Sequence, residues 1–133
     1  MKQPCPIEAE EAKVLVAWLR IHGYKFMHIP SETGSSDEAK RRAIRMKQQG
    51  TTKGFPDYLI IKGNKLIAVE LKRVHGSVVS PEQREWLNAL FACGTHSAIC
   101  HGAAEAIQFI ESIGNPLLAT TDVNNVIDTG TLF

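Results

Sequence analysis

Gly54-Phe55-Pro56-Asp57-Tyr58-Leu59-Ile60-Ile61-Lys62-Gly63-Asn64-Lys65-Leu66-Ile67-Ala68-Val69-Glu70-Leu71-Lys72 is the stretch on which both the fold and the chemistry turn. Two apolar runs, Tyr58–Ile61 and Leu66–Leu71, flank Gly63-Asn64, a pair suited to the tip of a two-residue β-hairpin. With that tip, Ile61 faces Leu66, Leu59 faces Ala68 and Asp57 faces Glu70. Leu59, Ile61, Leu66 and Ala68 then share one side, and Ile60, Ile67, Val69 and Leu71 the other. Strands apolar on both sides need cover on both.

The pairing of Asp57 with Glu70 carries the chemistry. Side chains directly opposite on one sheet face have Cβ atoms about 4.5–5.5 Å apart. Two carboxylates so placed repel, and a hard cation such as Mg²⁺, which prefers oxygen ligands and keeps several waters, would remove the repulsion. Lys72 lies two residues beyond Glu70 and projects from the same face. Such an ion can polarise a phosphodiester and activate water, and a nearby ammonium can orient that water or stabilise developing charge. The structural alternative is that Asp57 caps a turn and Glu70 and Lys72 form a solvated strand end. Against it, Glu70 follows the core run Leu66-Ile67-Ala68-Val69, where an unpaired carboxylate is costly.

Outward from the hairpin the pattern alternates. A helix is predicted from Pro6 to His22, with Ala12, Leu15, Trp18, Leu19 and His22 on one face and Gly23 ending it. Tyr24–Ile29 reads as a strand closed by Pro30. Asp37 is the expected N-cap of a second helix reaching Gln49. Ser80-Pro81 opens a third, carrying Trp86, Leu87, Leu90 and Phe91. Ser97–Cys100 reads as a strand and Ala103–Ile113 as a last helix, stopped by Gly114. The segment after it has no clear period and fits a tail, an edge strand or a dimer arm. The expected fold is therefore α/β, a mixed central β-sheet flanked by helices.

A chain of 133 residues suits one domain with its own core. A net charge of +1 says nothing about a partner, so charge distribution must. The second helix and the loop after it hold Lys40, Arg41, Arg42, Arg45, Lys47 and Lys53 with no acid between them. This run is either a solvated face or a surface for phosphates, and its one sign and its lead into Asp57 favour DNA. Cys5, Cys93 and Cys100 are odd in number and lack metal-ligand spacing, so reduced thiols are expected. The histidines at 22, 28, 75, 96 and 101 show no ligand spacing. With no signal-length or membrane-length apolar run, a soluble cytoplasmic protein is expected.

Pro56-Asp57 followed by Glu70-Leu71-Lys72 resembles the signature of the PD-(D/E)XK nuclease superfamily. Gly50–Asp57, Val69–Lys72 and Ser80-Pro81-Glu82-Gln83, with Glu8 and His28-Ile29-Pro30-Ser31-Glu32, are similar to the virus-type replication-repair nuclease (VRR-NUC) family within it. Many members have Asn where this chain has Ser31. The resemblance implies a restriction-endonuclease-like core over residues 1–113, with 114–133 as a C-terminal tail or dimer arm. It further implies a Mg²⁺-dependent endodeoxyribonuclease, with Mn²⁺ able to substitute, acting on branched DNA such as Holliday junctions or flaps. Stand-alone members imply a homodimer, in a bacterial or phage-infected cell.

By the same resemblance, Asp57, Glu70, Glu8 and the Leu71 carbonyl would bind metal, Lys72 would act on the water, and Gln83 would sit beside them. Glu8 and Glu11 share the inward stripe of the first helix, so Glu11 is the fallback ligand. The alternative for Glu8 is an acid favoured by the helix dipole. For Gln83 it is a capping partner of Ser80 in the Ser-x-x-Gln pattern. DNA contacts would come from Lys40, Arg41, Arg42, Arg45 and Lys53. Competing readings are a nuclease for ordinary duplex and a non-catalytic DNA-binding module. Leu117, Leu118, Val126 and Phe133 are candidates for the dimer surface.

Overall fold

In a computed structural model, which describes residues 7–30, 34–114 and 127–128, the hairpin forms the middle of a five-stranded sheet. The elements are α1 (Glu8–Ile21), β1 (Lys25–His28), α2 (Asp37–Gln48), β2 (Tyr58–Lys62), β3 (Lys65–Lys72), α3 (Pro81–Ala92), β4 (His96–His101), α4 (Ala103–Ser112) and β5 (Ile127–Asp128). The sheet order is β1-β2-β3-β4-β5. β1, β2 and β3 are antiparallel, and β4 and β5 are parallel to their neighbours, which makes the sheet mixed as expected. The sequence predicts four strands and allows an edge strand in the last segment, and the fifth strand pairs Ile127 and Asp128 with Ala98 and Ile99 at the sheet edge. Leu117, Leu118, Val126 and Phe133 lie outside the described residues, as do Cys5, Ser31 and Glu32.

The two-residue tip sets the register as the sequence predicted: Lys62 faces Lys65, Ile60 faces Ile67 and Tyr58 faces Val69. Gly63 has φ +62°, the left-handed conformation this turn demands. α1 and α4 cover one face of the sheet. There Leu15, Leu19, Tyr58, Ile60, Ile67, Val69, Leu71, Ala98, Phe109 and Ile110 form the main core. On the other face α3 packs on β3 and β4, with Leu87, Ala68 and Ile99 fully buried. Cover on that second face stops short of what the apolar pattern predicted. Met27, Ile61 and Leu66, on adjacent strands of the face α3 leaves open, are 64%, 47% and 40% exposed.

Two helix starts carry caps that the sequence did not show. Ser36, not Asp37, caps α2: its extended backbone lets the hydroxyl accept the Ala39 N–H, and Asp37 becomes the first helical residue, where the dipole favours an acid. α4 begins at Gly102, which has no side chain to cap it, so Glu11 reaches across from α1 and its carboxylate accepts the Ala103 N–H. Gly102 has φ +98°, and a Cβ there would lie 2.8 Å from that carboxylate. Among the described residues no helix is long and apolar enough to cross a membrane.

The cap in trans ties α1 to α4 across the core. Glu11→Ala is expected to lower unfolding stability by about 1–2 kcal/mol, the usual range for a lost cap. Thermal unfolding would read this, and an unchanged midpoint would mean that the contact contributes nothing.

Candidate active site

β3 runs past the start of β2, and the candidate site occupies the step. The ladder between them ends at Tyr58 and Val69. The next β3 residue whose N–H points toward β2 is Leu71, and the residue across from it is Pro56, which cannot donate to a ladder. The Asp57 side chain takes the place of the missing strand: its Oδ2 accepts the Leu71 N–H at 3.0 Å. Strand geometry sends the Leu71 carbonyl off the same edge, toward the carboxyls. Ile29 N–H binds the Asp57 carbonyl at 2.7 Å and fixes its backbone from the β1 side.

Glu70 is 2% exposed, buried on the face that α3 covers. Its Oε1 accepts from Gln83 Nε2 at 2.9 Å and lies 3.5 Å from Lys72 Nζ. The two readings of Gln83 both hold. Its Oε1 accepts the Ser80 N–H at 2.9 Å while its own N–H binds Ser80 Oγ at 3.2 Å, which completes the capping box. With the amide oxygen committed to the cap, the NH₂ end must face Glu70. The loop before Asp57 is pressed onto the same helix start. A Cβ at Gly54, where φ is +94°, would meet the Glu82 carbonyl carbon at 2.7 Å, and the Phe55 and Trp86 rings meet edge to face at 5.0 Å.

Burial dominates the electrostatics. It pushes the Glu70 carboxyl up to about 8, helped by the Asp57 charge and opposed by Lys72. Asp57 is also raised, first by burial and then by Glu8, with the Leu71 N–H pulling the other way. The Tyr58 phenol beside them is raised by burial and by the charges of Asp57 and Glu8. With both carboxyls ionised, Glu70 Oε2 is buried without a hydrogen-bond partner. A proton shared with Asp57 would satisfy it, and so would a cation.

The donor set fits a hard, partly hydrated ion. Among the described residues no three His, Cys, Asp or Glu side chains form a ready cage. Mg²⁺ is usually held by one or two carboxylates and completes its shell with water and other oxygens, a demand met by Asp57, the orphaned Glu70 oxygen and the Leu71 carbonyl. Glu8 is exposed, not turned into the core as its stripe suggested, and lines the same cavity as Asp57 and Leu71. Glu11, the fallback, is committed to the α4 cap.

The structure thus brings Asp57, Glu70, Leu71, Lys72 and Gln83 together, with Glu8 on a cavity it shares with Asp57 and Leu71. Lys53 is exposed beside the start of α3, close enough for its charge to act on Glu82. Lys40, Arg41, Arg42 and Arg45 are exposed on α2, a helix with no buried residue, and among the described residues no hydrogen bond or ion pair joins them to the carboxyls. Sequence reasoning missed Glu11 as a cap, because the cap it fills belongs to a helix 92 residues away. It also missed Lys13 and Arg20, which line the cavity with Glu8. Their seven-residue spacing puts them on one helical face, a signal outweighed by the denser basic run of α2.

A raised carboxyl has a definite effect on stability. The unfolded chain releases the Glu70 proton near its ordinary value of 4.5, and the folded protein keeps it to about 8. Without divalent cations the folded state should therefore lose stability as pH rises through that window. Glu70→Gln should flatten the decline, as read by urea unfolding in EDTA, and parallel profiles for the two proteins would refute the assignment. Gln83→Glu, which preserves the capping box but sets a third carboxylate against Glu70, should steepen it.

The family model described as the VRR-NUC domain matches residues 8–104, which includes every residue of the carboxyl cluster. Comparison with curated proteins gives no match. A solved structure titled VRR_NUC domain protein is similar at a TM-score of 0.69 and 20% identity, over 95% of this chain and 96% of that one. That likeness supports the α/β architecture, and the family match over most of the chain supports more: this chain belongs to the VRR-NUC domain family, a nuclease-type family.

Proposed function

We propose that the chain is a Mg²⁺-dependent, structure-specific DNA endonuclease that resolves four-way junctions as a homodimer in the cytoplasm. The observation that carries the catalytic part is the buried Glu70, with one orphaned oxygen, beside half-buried Asp57 and the buried Lys72 ammonium. A protein that only bound DNA would gain nothing from carboxylates facing a phosphate.

Bound there, Mg²⁺ would supply the Lewis-acid polarisation of the phosphodiester and acidify a water for attack. The chain's own residues do the rest. Leu71 N–H fixes Asp57 through Oδ2 and leaves Oδ1 for a ligand. Gln83 fixes Glu70 through Oε1 and leaves Oε2. Asp57 and Glu70 would have to give up the proton they hold near neutrality to bind a cation, so metal affinity should rise with pH toward 8. Lys72 Nζ, mostly shielded from solvent beside Glu70, would orient the water or stabilise charge on the phosphoryl oxygens.

Lys40, Arg41, Arg42, Arg45 and Lys53 would hold flanking phosphates, which accounts for a charged helix that buries none of its own residues. A two-fold homodimer would offer two sites for two strands. The open apolar face at Met27, Ile61 and Leu66 supports a self-association surface better than a solvated one.

Cleavage of a labelled four-way junction, flap, linear duplex and single strand with Mg²⁺ or Mn²⁺ tests this reading. Junction cutting should fall at least about 100-fold in Asp57→Ala and in Lys72→Ala, in the range seen for lost charge-stabilising groups. Equal or better cutting of linear duplex would keep the nuclease and discard the resolvase. Binding without cleavage under any metal would leave a binding module.

A further inference from the structure

A cavity of about 570 Å³ runs along α1 away from the carboxyls. Ala12, Val16, Tyr58 and Leu71 are its half-buried or buried apolar lining, and Glu8, Lys13, Ala17, Arg20 and His28 are exposed along it. Its charges are sorted by position. Glu8 and Asp57 stand at the end that borders the site, and Lys13 and Arg20 lie further along the helix. Among the described residues neither cation forms an ion pair. Lys13 and Arg20 are two helical turns apart, so they share a face and stand about 10 Å from each other along the axis. Lys13 follows Glu8 by about 7.5 Å. Two cations this far apart on one face would meet different phosphates of a strand lying along the helix. The opposite wall includes His28, whose ring lies 4.9 Å from that of Tyr58. The volume is that of a small-ligand pocket, room for a segment of one strand and not for a duplex.

We propose that this groove holds the strand being cut, with its phosphates next to the scissile one on Lys13 and Arg20. The proposal rests on the nuclease reading and refines it: α1, not α2, guides the cleaved strand into the carboxyls, and α2 is left for phosphates elsewhere on the substrate. The small side chains Ala9, Ala12 and Ala17 let that strand approach the helix closely, and the continuity of the groove with Asp57 gives it a single destination.

Binding of a fluorescein-labelled four-way junction, and of a single strand taken from it, is followed by anisotropy in EDTA over a range of salt. Lys13→Ala with Arg20→Ala should weaken binding at least tenfold at low salt. It should also reduce the slope of log K against log salt by about 0.7–0.9 per lost contact. In cleavage with Mg²⁺, KM should rise while kcat stays. Ala17→Trp, which fills the groove and leaves charge alone, should weaken binding of the single strand as well. Far-ultraviolet circular dichroism checks that each variant folds. If both variants bind and cut like wild type, the groove proposal falls and the nuclease reading survives. Should Ala17→Trp change only the sedimenting mass, the groove is a contact between copies of the chain and the proposal also falls. A wild-type protein that neither binds nor cuts any DNA would overturn the nuclease reading, and the groove with it.

Discussion

A carboxylate buried at the end of a core strand is the constraint around which this protein is arranged. An unpaired charge in such a place is worth several kcal/mol against folding. Glu70 is tolerated because three groups converge on it. Gln83 donates to one oxygen, Lys72 lies beside the same oxygen, and Asp57 stands where a shared proton or a cation would join it to the other. Each partner comes from a different element, so the elements have to be where they are. The hairpin register delivers Asp57, the alternation of β3 delivers Lys72, and the capped start of α3 delivers Gln83. Gly54 lets the Asp57 loop close onto α3 and brings two of these together.

The parts of this arrangement that were legible in the sequence are those fixed by local rules. Gly63-Asn64 specifies a two-residue turn, and with it the register that sets Asp57 against Glu70. Ser80-Pro81 gave the start of α3 to the residue. What escaped were contacts between distant elements. Nothing near Gly102 announces that its helix is capped from α1, and nothing near Glu11 announces that it is the cap. The N-cap of α2 was misplaced by one residue because Ser36 and Asp37 are both good caps, and only backbone geometry separates them. Glu8 was read from helical periodicity as inward-facing, but at the first residue of a helix the neighbouring core has already ended.

The apolar pattern of the hairpin also asked for more cover than the described residues supply. α1 and α4 cover the core of one face, whereas α3 shields only β3 and β4 on the other. The open remainder, at Met27, Ile61 and Leu66, lies on the same side of the sheet as Glu70 and Lys72. The sheet thus divides by face: one holds the main core, and the other holds Glu70, Lys72 and the open apolar patch.

Gln83 gives that division a consequence for quality control. One side chain closes the cap of α3 with its oxygen and steadies Glu70 with its nitrogen, so the two tasks cannot be separated. Were α3 to begin one residue early or late, the amide would turn away by about 100° and the buried carboxylate would lose its donor. A misregistered helix would therefore leave a buried charge without its donor. On the proposed reading, the geometry that cleavage needs is present only when α3 starts in register.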